Sequence, residues 1–412
     1  MPTTPTRQPL TRAMRLAVLV AALGYFVDIY DLLLFGIVRR PSLIDLGVTK
    51  EHLLGQGLFL DNMQMGAMLL GGILWGVLGD KRGRLSVLFG SIVLYSLANI
   101  ANGFVTSVPQ YAVARFVAGI GLAGELGAGI TLVSESLPKE SRGYGTTIVA
   151  TVGITGAIVA AIVGKLTNWR TSYFIGGGLG LALLLLRVGV VESGMFAKAS
   201  SEGDVARGDF FALLRSPDRL RRYVSVILVG VPIWYVVGVL IKFSDAIGGS
   251  LGLTKAPDPA TAIPLCYAGL ALGDLASGTL SQILRSRRRA VLVFLLITLV
   301  AITVYFTAGG SSLTAFYAAC MLAGFGSGYW AVFMTTAAEQ FGTNLRATAT
   351  TTAPNFVRGA TVPLTLSFAA LKGGSLGISG AAIAVGVPCL LLAFLALASL
   401  KETYGKDLDF TE

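Results

Sequence analysis

The sequence predicts an all-α membrane protein, with twelve transmembrane helices in two pseudo-symmetric six-helix bundles around a central cavity. Three observations carry that expectation. Twelve apolar stretches approach the roughly 20 residues that cross a bilayer as a helix. One long polar interval divides them six and six, and chemically matched residues recur between the two halves at a nearly constant offset.

The stretches fall at about 14–38, 57–79, 85–104, 109–134, 144–166, 171–191, 222–246, 261–284, 290–308, 313–338, 347–370 and 376–399. Apolar residues fill 54% of the 412 positions and charged residues only 13%, about half the charged share of a soluble domain. The 52 glycines suit helices that approach closely in lipid. Cys266, Cys320 and Cys389 lie inside apolar runs, which argues against a disulfide framework. His52 is the single histidine and falls between the first two stretches, so a histidine proton relay or a His-rich metal site is excluded. No Walker loop is present, so ATP is not expected to drive the protein, and no H-E-x-x-H motif suggests an intramembrane protease. The polar, basic start leads into an apolar stretch of full spanning length, which does not read as a cleavable signal peptide.

The polar interval from Glu192 to Arg222 sets the expected division: a first bundle at 1–192, a linker at 193–221 and a second bundle at 222–412. Within the linker, FFALLRSPDRLRRYV mixes apolar and basic residues at helical spacing, as a segment lying on an anionic leaflet would. The end of the bundle shared by both termini carries 21 Lys and Arg. The opposite end carries seven: Arg39, Arg40, Lys50, Lys165, Arg170, Lys255 and Lys372. Positive residues stay inside, so both termini are expected in the cytoplasm and the chain in the inner (plasma) membrane.

The repeat is visible after the fourth and tenth stretches. Glu135 precedes Arg142 by seven residues, and Glu339 precedes Arg346 by the same seven, an offset of 204. The loop Gly76-Val-Leu-Gly-Asp80-Lys-Arg-Gly83-Arg84 recurs weakly as Gly278-Thr-Leu-Ser-Gln282-Ile-Leu-Arg285, at offset 202. Duplication explains both.

Charged residues inside the apolar stretches are the candidate functional groups, because unpaired charge in lipid costs several kcal/mol. The first stretch holds Asp28 and Asp31, three residues apart and so on one helix face. Two carboxylates this close do not both ionise easily, so one is expected to take up and release a proton. Glu125 lies about 15 Å along the fourth helix from Arg115. It is a second proton carrier, a substrate contact, or a cap bonded to backbone in a glycine-packed interface. Arg358 offers a rigid fork that matches a carboxylate or phosphate; pairing with Asp274 or Asp61 is the structural alternative. Pro354, Gly359 and Pro363 give its helix places to bend. Lys242, near the outer end of the seventh stretch, is expected to snorkel toward the membrane surface, with a ligand role as the alternative. Asp61, Asn62 and Gln64 line an outer vestibule or cap a helix. Trp234 and Tyr235 stack on a substrate or belong to an interfacial aromatic belt.

These motifs resemble the major facilitator superfamily. Gly76–Arg84 is similar to that family's cytoplasmic signature G-x-x-x-D-[RK]-x-G-[RK]-[RK], departing only at Leu85. Arg115…Gly119…Gly121…Gly124-Glu125 resembles its R-x-x-x-G-x-G-x-G-G segment, and Arg187…Glu192-Ser193-Gly194 resembles the R…ESP element of its sugar-porter and metabolite:proton symporter branches. The resemblance implies alternating access, with Gly76, Asp80, Arg84, Glu135, Arg142, Glu339 and Arg346 forming a cytoplasmic gate. It implies Asp31 as the proton-coupling carboxylate paired with Arg115, with Asp28 and Glu125 in supporting roles. Alternatively the Asp31–Arg115 pair is permanent and only joins two helices. Arg358, twelve residues after Arg346, falls where organic-anion carriers hold their substrate, with Tyr30, Trp234, Tyr235 and Asn355 as further contacts.

The expectation is therefore a proton-coupled carrier importing a small organic metabolite, an organic anion in particular, and not an enzyme. Its partners would be that substrate, protons and the lipid bilayer. A monomer is expected, without cofactor, metal or nucleic acid. A proton-driven exporter of drugs or metabolites shares the same features. So does a divalent-metal carrier built on Asp28, Asp31, Asp61 and Glu125.

Overall fold

A computed structural model describes residues 12–82, 84–125, 142–192 and 210–405. In the first half α1 spans Arg12–Asp45, α2 Leu53–Arg82, α3 Arg84–Phe104, α4 Val108–Leu122, α5 Arg142–Leu166 and α6 Trp169–Glu192. In the second, α7 spans Pro217–Tyr235, α8 Pro259–Ile283, α9 Arg287–Thr307, α10 Leu313–Gly326, α11 Thr343–Gly359 and α12 Gly377–Ser399. Three of these continue after an interruption. α7 passes through a π-helical turn, Val236–Ile241, into Ser244–Ser250; α10 resumes as Trp330–Glu339, and α11 as Thr361–Leu371.

The twelve-helix architecture is that of the sequence reading. Among the described residues, nine helices are long and apolar enough to cross a membrane. The other three fall short for identifiable reasons. α4 runs into residues outside the described set, and the apolar part of α5, Val152–Leu166, is short. α11 opens on the polar run Thr343-Asn-Leu-Arg-Ala-Thr-Ala-Thr-Thr-Thr, and carries Arg358. One expected boundary moves: α1 continues past residue 38 to Asp45, through Pro41. Arg39 and Arg40, expected in a loop, are therefore helical. Within this extension Arg39 meets a partner on the other half.

Small side chains set the starts of several helices. Ser107, Asp258, Ser286 and Ser312 each accept a hydrogen bond from an amide in the first turn that follows. The tight turn between α8 and α9 places Arg285 at φ 46°, a left-handed region that glycine favours; the repeat has Gly83 at the corresponding place.

Glycines hold the helices close. In α4, a Cβ on Gly119 would sit 2.3 Å from the Gln64 carbonyl of α2, and one on Gly121 would sit 2.6 Å from the Tyr95 amide of α3. In the second half, a Cβ on Gly324 of α10 would sit 1.9 Å from the Cys266 carbonyl of α8. The fourth helix of each half also breaks at one place in the repeat. α4 ends in a turn at Ala123–Gly124 and α10 at Ser327–Gly328, again 204 residues apart.

The halves meet along α2 with α11 and α5 with α8. Asn62 of α2 accepts from Thr365 at 2.5 Å, Gly359 of α11 packs against Leu69, and Lys165 at the end of α5 donates to Thr261 at 2.8 Å.

Gly324→Ala should destabilise the protein by about 1–3 kcal/mol, because the added methyl must push the α8 backbone away. Gly249→Ala, where a Cβ meets nothing within 4 Å, should change stability little. Thermal unfolding in detergent measures both.

Candidate functional site

Among the described residues, four ion pairs cross between the halves: an exposed one, Lys165–Asp258 at 3.7 Å, and three that are largely buried. Arg358 of α11 donates to both oxygens of Asp28 on α1, at 2.8 and 3.5 Å. Lys242, just past the π-helical turn, lies 2.8 Å from Asp61 of α2. Arg39 near the end of α1 lies 2.5 Å from Asp245 and stacks its guanidinium over Phe243. The two inner pairs are closed to solvent: Asp28 and Asp61 are 0% exposed, Arg358 and Lys242 1%. In each inner pair the acid comes from the first half and the cation from the second. Trp234 sits beside both cations, 5.8 Å from the Arg358 guanidinium carbon and 5.9 Å from the Lys242 nitrogen.

Two expectations change here. Lys242 does not snorkel: it directly follows the π-helical turn, and its nitrogen is buried against Asp61. Arg358 is paired, but with Asp28 rather than with Asp274 or Asp61. Asp274 instead accepts from the Ala331 amide and caps the resumed second part of α10.

The expected contact between Asp31 and Arg115 is not formed. Arg115 donates to Gln64 of α2 and, at 3.5 Å, to the Tyr173 hydroxyl of α6, while its guanidinium lies 4.1 Å over Phe35. Its Nε has no partner. Both oxygens of Asp31 are buried without a hydrogen bond. The carboxyl is pressed against Gly176, where a Cβ would lie 2.6 Å from Oδ1. Gln64 occupies the guanidinium face that an acid would need. Tyr173 continues into a buried hydroxyl chain with Tyr111, at 2.6 Å, and Ser42, at 3.4 Å.

Glu125 lies just beyond the break in α4 and is held on two sides by Arg187 of α6, at 2.7 and 2.8 Å. Gly24 of α1 makes room, since a Cβ there would meet Arg187 at 2.5 Å and Glu125 at 2.9 Å. Glu125 is thus an ion-pair partner within the first half rather than a cap on backbone.

The tyrosines expected as substrate contacts face elsewhere. Tyr30 donates to the Ser172 carbonyl of α6, and Tyr235 to the Ala382 carbonyl of α12. Both fasten helices within one half. Asn355 does bridge the halves, donating to the Ala123 carbonyl at the α4 break at 3.0 Å. Its Oδ1 is left without a partner. The partners of Lys242, Asp61, Gln64 and Arg187 were not read from the sequence. The available signal was that Arg115, Arg187, Lys242 and Arg358, together with six acids, lie within apolar stretches, and each needs a partner there.

The sequence pattern of the Major Facilitator Superfamily matches residues 21–362. The chain belongs to this superfamily. It is a multi-pass membrane transporter of small molecules, not an enzyme. Over 306 residues it is 28% identical to a putative metabolite transport protein of Haemophilus influenzae, covering 70% of this chain and 72% of that one. A sialic acid transporter of Escherichia coli is 30% identical over 43% of this chain and 44% of its own length. The benzoate transport protein of Acinetobacter baylyi is 29% identical over 41% of this chain and 37% of its own. The chain thus spans under half the length of the last two relatives.

Of the residues expected in a cytoplasmic gate, Gly76 lies within α2. Glu135 and the side chains of Asp80, Arg84 and Arg142 lie outside the described residues. In the second half, Glu339 accepts from Arg287 and from the Thr403 hydroxyl, and Arg346 donates to the Ala338 carbonyl. Glu402 completes this cluster by accepting from Ser286 and from the amides of Arg287, Thr403 and Tyr404. Burial opposes its ionisation, but these hydrogen bonds outweigh it and hold the carboxyl at about 2.

Two measurements follow from this geometry. Glu125→Gln leaves Arg187 buried without an acid and should cost about 3–5 kcal/mol in thermal unfolding, whereas Glu125→Leu with Arg187→Met should recover much of that loss. The folded value of Glu402 lies below the ordinary 4.5, so its stabilisation is complete at neutral pH and is lost as pH falls through about 2. The melting temperatures of wild type and Glu402→Gln should therefore converge as pH is lowered from 4.5 toward 2.

Proposed function

We propose that the protein is a proton-coupled carrier that imports a small organic anion by alternating access. It works as a monomer in the inner membrane, with both termini in the cytoplasm. The observation that carries this reading is the Asp28–Arg358 pair. A guanidinium held on two sides by a carboxylate, away from water and between the two halves, is a site shaped for a carboxylate. A substrate acid takes the place of Asp28 on Arg358. Asn355, one turn away on α11 and already reaching the first half, senses the same contact.

Asp31 is the main proton-coupling carboxylate, and Asp28, once displaced from Arg358, takes a proton in a supporting role. A carboxyl buried without any hydrogen bond is tolerated in lipid when it carries a proton, and neutral Asp31 fits its surroundings here. Once ionised it has a cation to turn to in Arg115, whose own contacts are neutral groups. Two states of one carboxyl thus correspond to two arrangements of α1 and α4. The relatives named for benzoate and sialic acid support an acid as cargo. The excess of Lys and Arg on the termini side supports the orientation. A metal carrier is disfavoured because Asp28, Asp61 and Glu125 are each held by a different cation.

In proteoliposomes, Asp31→Asn should abolish uphill carboxylate uptake driven by a proton gradient while leaving counterflow exchange. Gradient-driven accumulation that survives the substitution contradicts the assignment of Asp31. Arg358→Ala should remove the rise in melting temperature that a bound carboxylate gives the wild type.

A further inference from the structure

We infer that the central site is a two-point site for an organic dianion, with one acid group on Arg358 and the other on Lys242. The inference rests on the proposed carrier function and narrows its substrate class.

Lys242 and Arg358 flank a single indole, that of Trp234, at 5.9 and 5.8 Å. Both belong to the second half, both are buried, and each is neutralised only across the interface, by Asp61 and Asp28 of the first half. The wall of one half is thus doubly basic and the wall facing it doubly acidic. Any movement that parts the halves strips both cations of their counter-charges together. A monoanion restores one and leaves the other buried and uncompensated, which is costly in a membrane interior. A dianion restores both, while Asp28 and Asp61 each take up a proton.

The Lys242 contact is built to be exchanged. Only Oδ1 of Asp61 meets the ammonium, and Oδ2 is buried without a partner, so an incoming acid displaces one hydrogen bond. Because both cations lie beside one ring, the ligand is short: two carboxylates at the ends of a small chain or ring that packs on Trp234.

Affinities of the purified carrier for succinate, glutarate and adipate would be compared with those for butyrate, pentanoate and hexanoate. The best dicarboxylate should bind about tenfold or more tightly than its matched monocarboxylate, the advantage of one further charge-assisted contact. Lys242→Gln should bring the dicarboxylate to within about threefold of the monocarboxylate. Since that change strands Asp61, Lys242→Gln with Asp61→Asn removes both charges and should give the same result in a well-folded protein. Equal affinities in the wild type, or an advantage that persists in the double variant, would overturn the two-point site and leave Arg358-dependent carboxylate binding intact. Binding of neither series would overturn the anion-carrier reading as well.

Discussion

A charge held in the middle of a membrane protein must be neutralised nearby, and the arrangement of this molecule follows from how that is done. Glu125 and Arg187 settle the matter inside the first half. Asp28 with Arg358, Asp61 with Lys242 and Arg39 with Asp245 settle it only across the boundary between halves. A pair within one half is a fixed strut. A pair across the boundary is a contact that must be given up whenever the halves move apart, so it ties charge balance to conformation.

The remaining features support those cross-boundary contacts. Glycines at 119, 121 and 324 bring backbones together within each half, so that each is closely packed. The π-helical turn at Val236–Ile241 divides α7 into two parts. The part before it is fastened to its own half by Tyr235 on Ala382, and the part after it reaches the other half through Lys242 and Asp245. π turns concentrate at functional sites because the extra residue re-aims the side chains that follow. Arg115 stands apart: it is buried, bonded only to neutral groups, and close to a carboxyl that has no hydrogen bond.

The twelve helices were legible in the sequence because apolar length is a property of contiguous residues. The repeat offset of 204 was legible too, and it also locates the broken fourth helices. Individual intramembrane charges were equally plain, and Asp28, Asp31, Arg115, Glu125 and Arg358 are all buried. Their pairing was not legible. It depends on helix rotation and on contacts between residues up to 330 positions apart. Lys242 lay near the end of an apolar run and so looked free to reach the surface; the π-helical turn that precedes it is invisible to periodicity, and so is its contact with Asp61. Tyr30 and Tyr235 have side chains suited to a ligand, yet a backbone carbonyl on a neighbouring helix claims each one.

In the proposed carrier a ligand's acid group replaces Asp28 on Arg358, and the displaced aspartate is neutralised by a proton. Titration calorimetry of carboxylate binding in buffers of different ionisation enthalpy counts protons taken up on binding. Net uptake that falls when Asp28 is replaced by Asn is the predicted result. Carboxylate binding without proton uptake, or with uptake untouched by that substitution, would contradict the account.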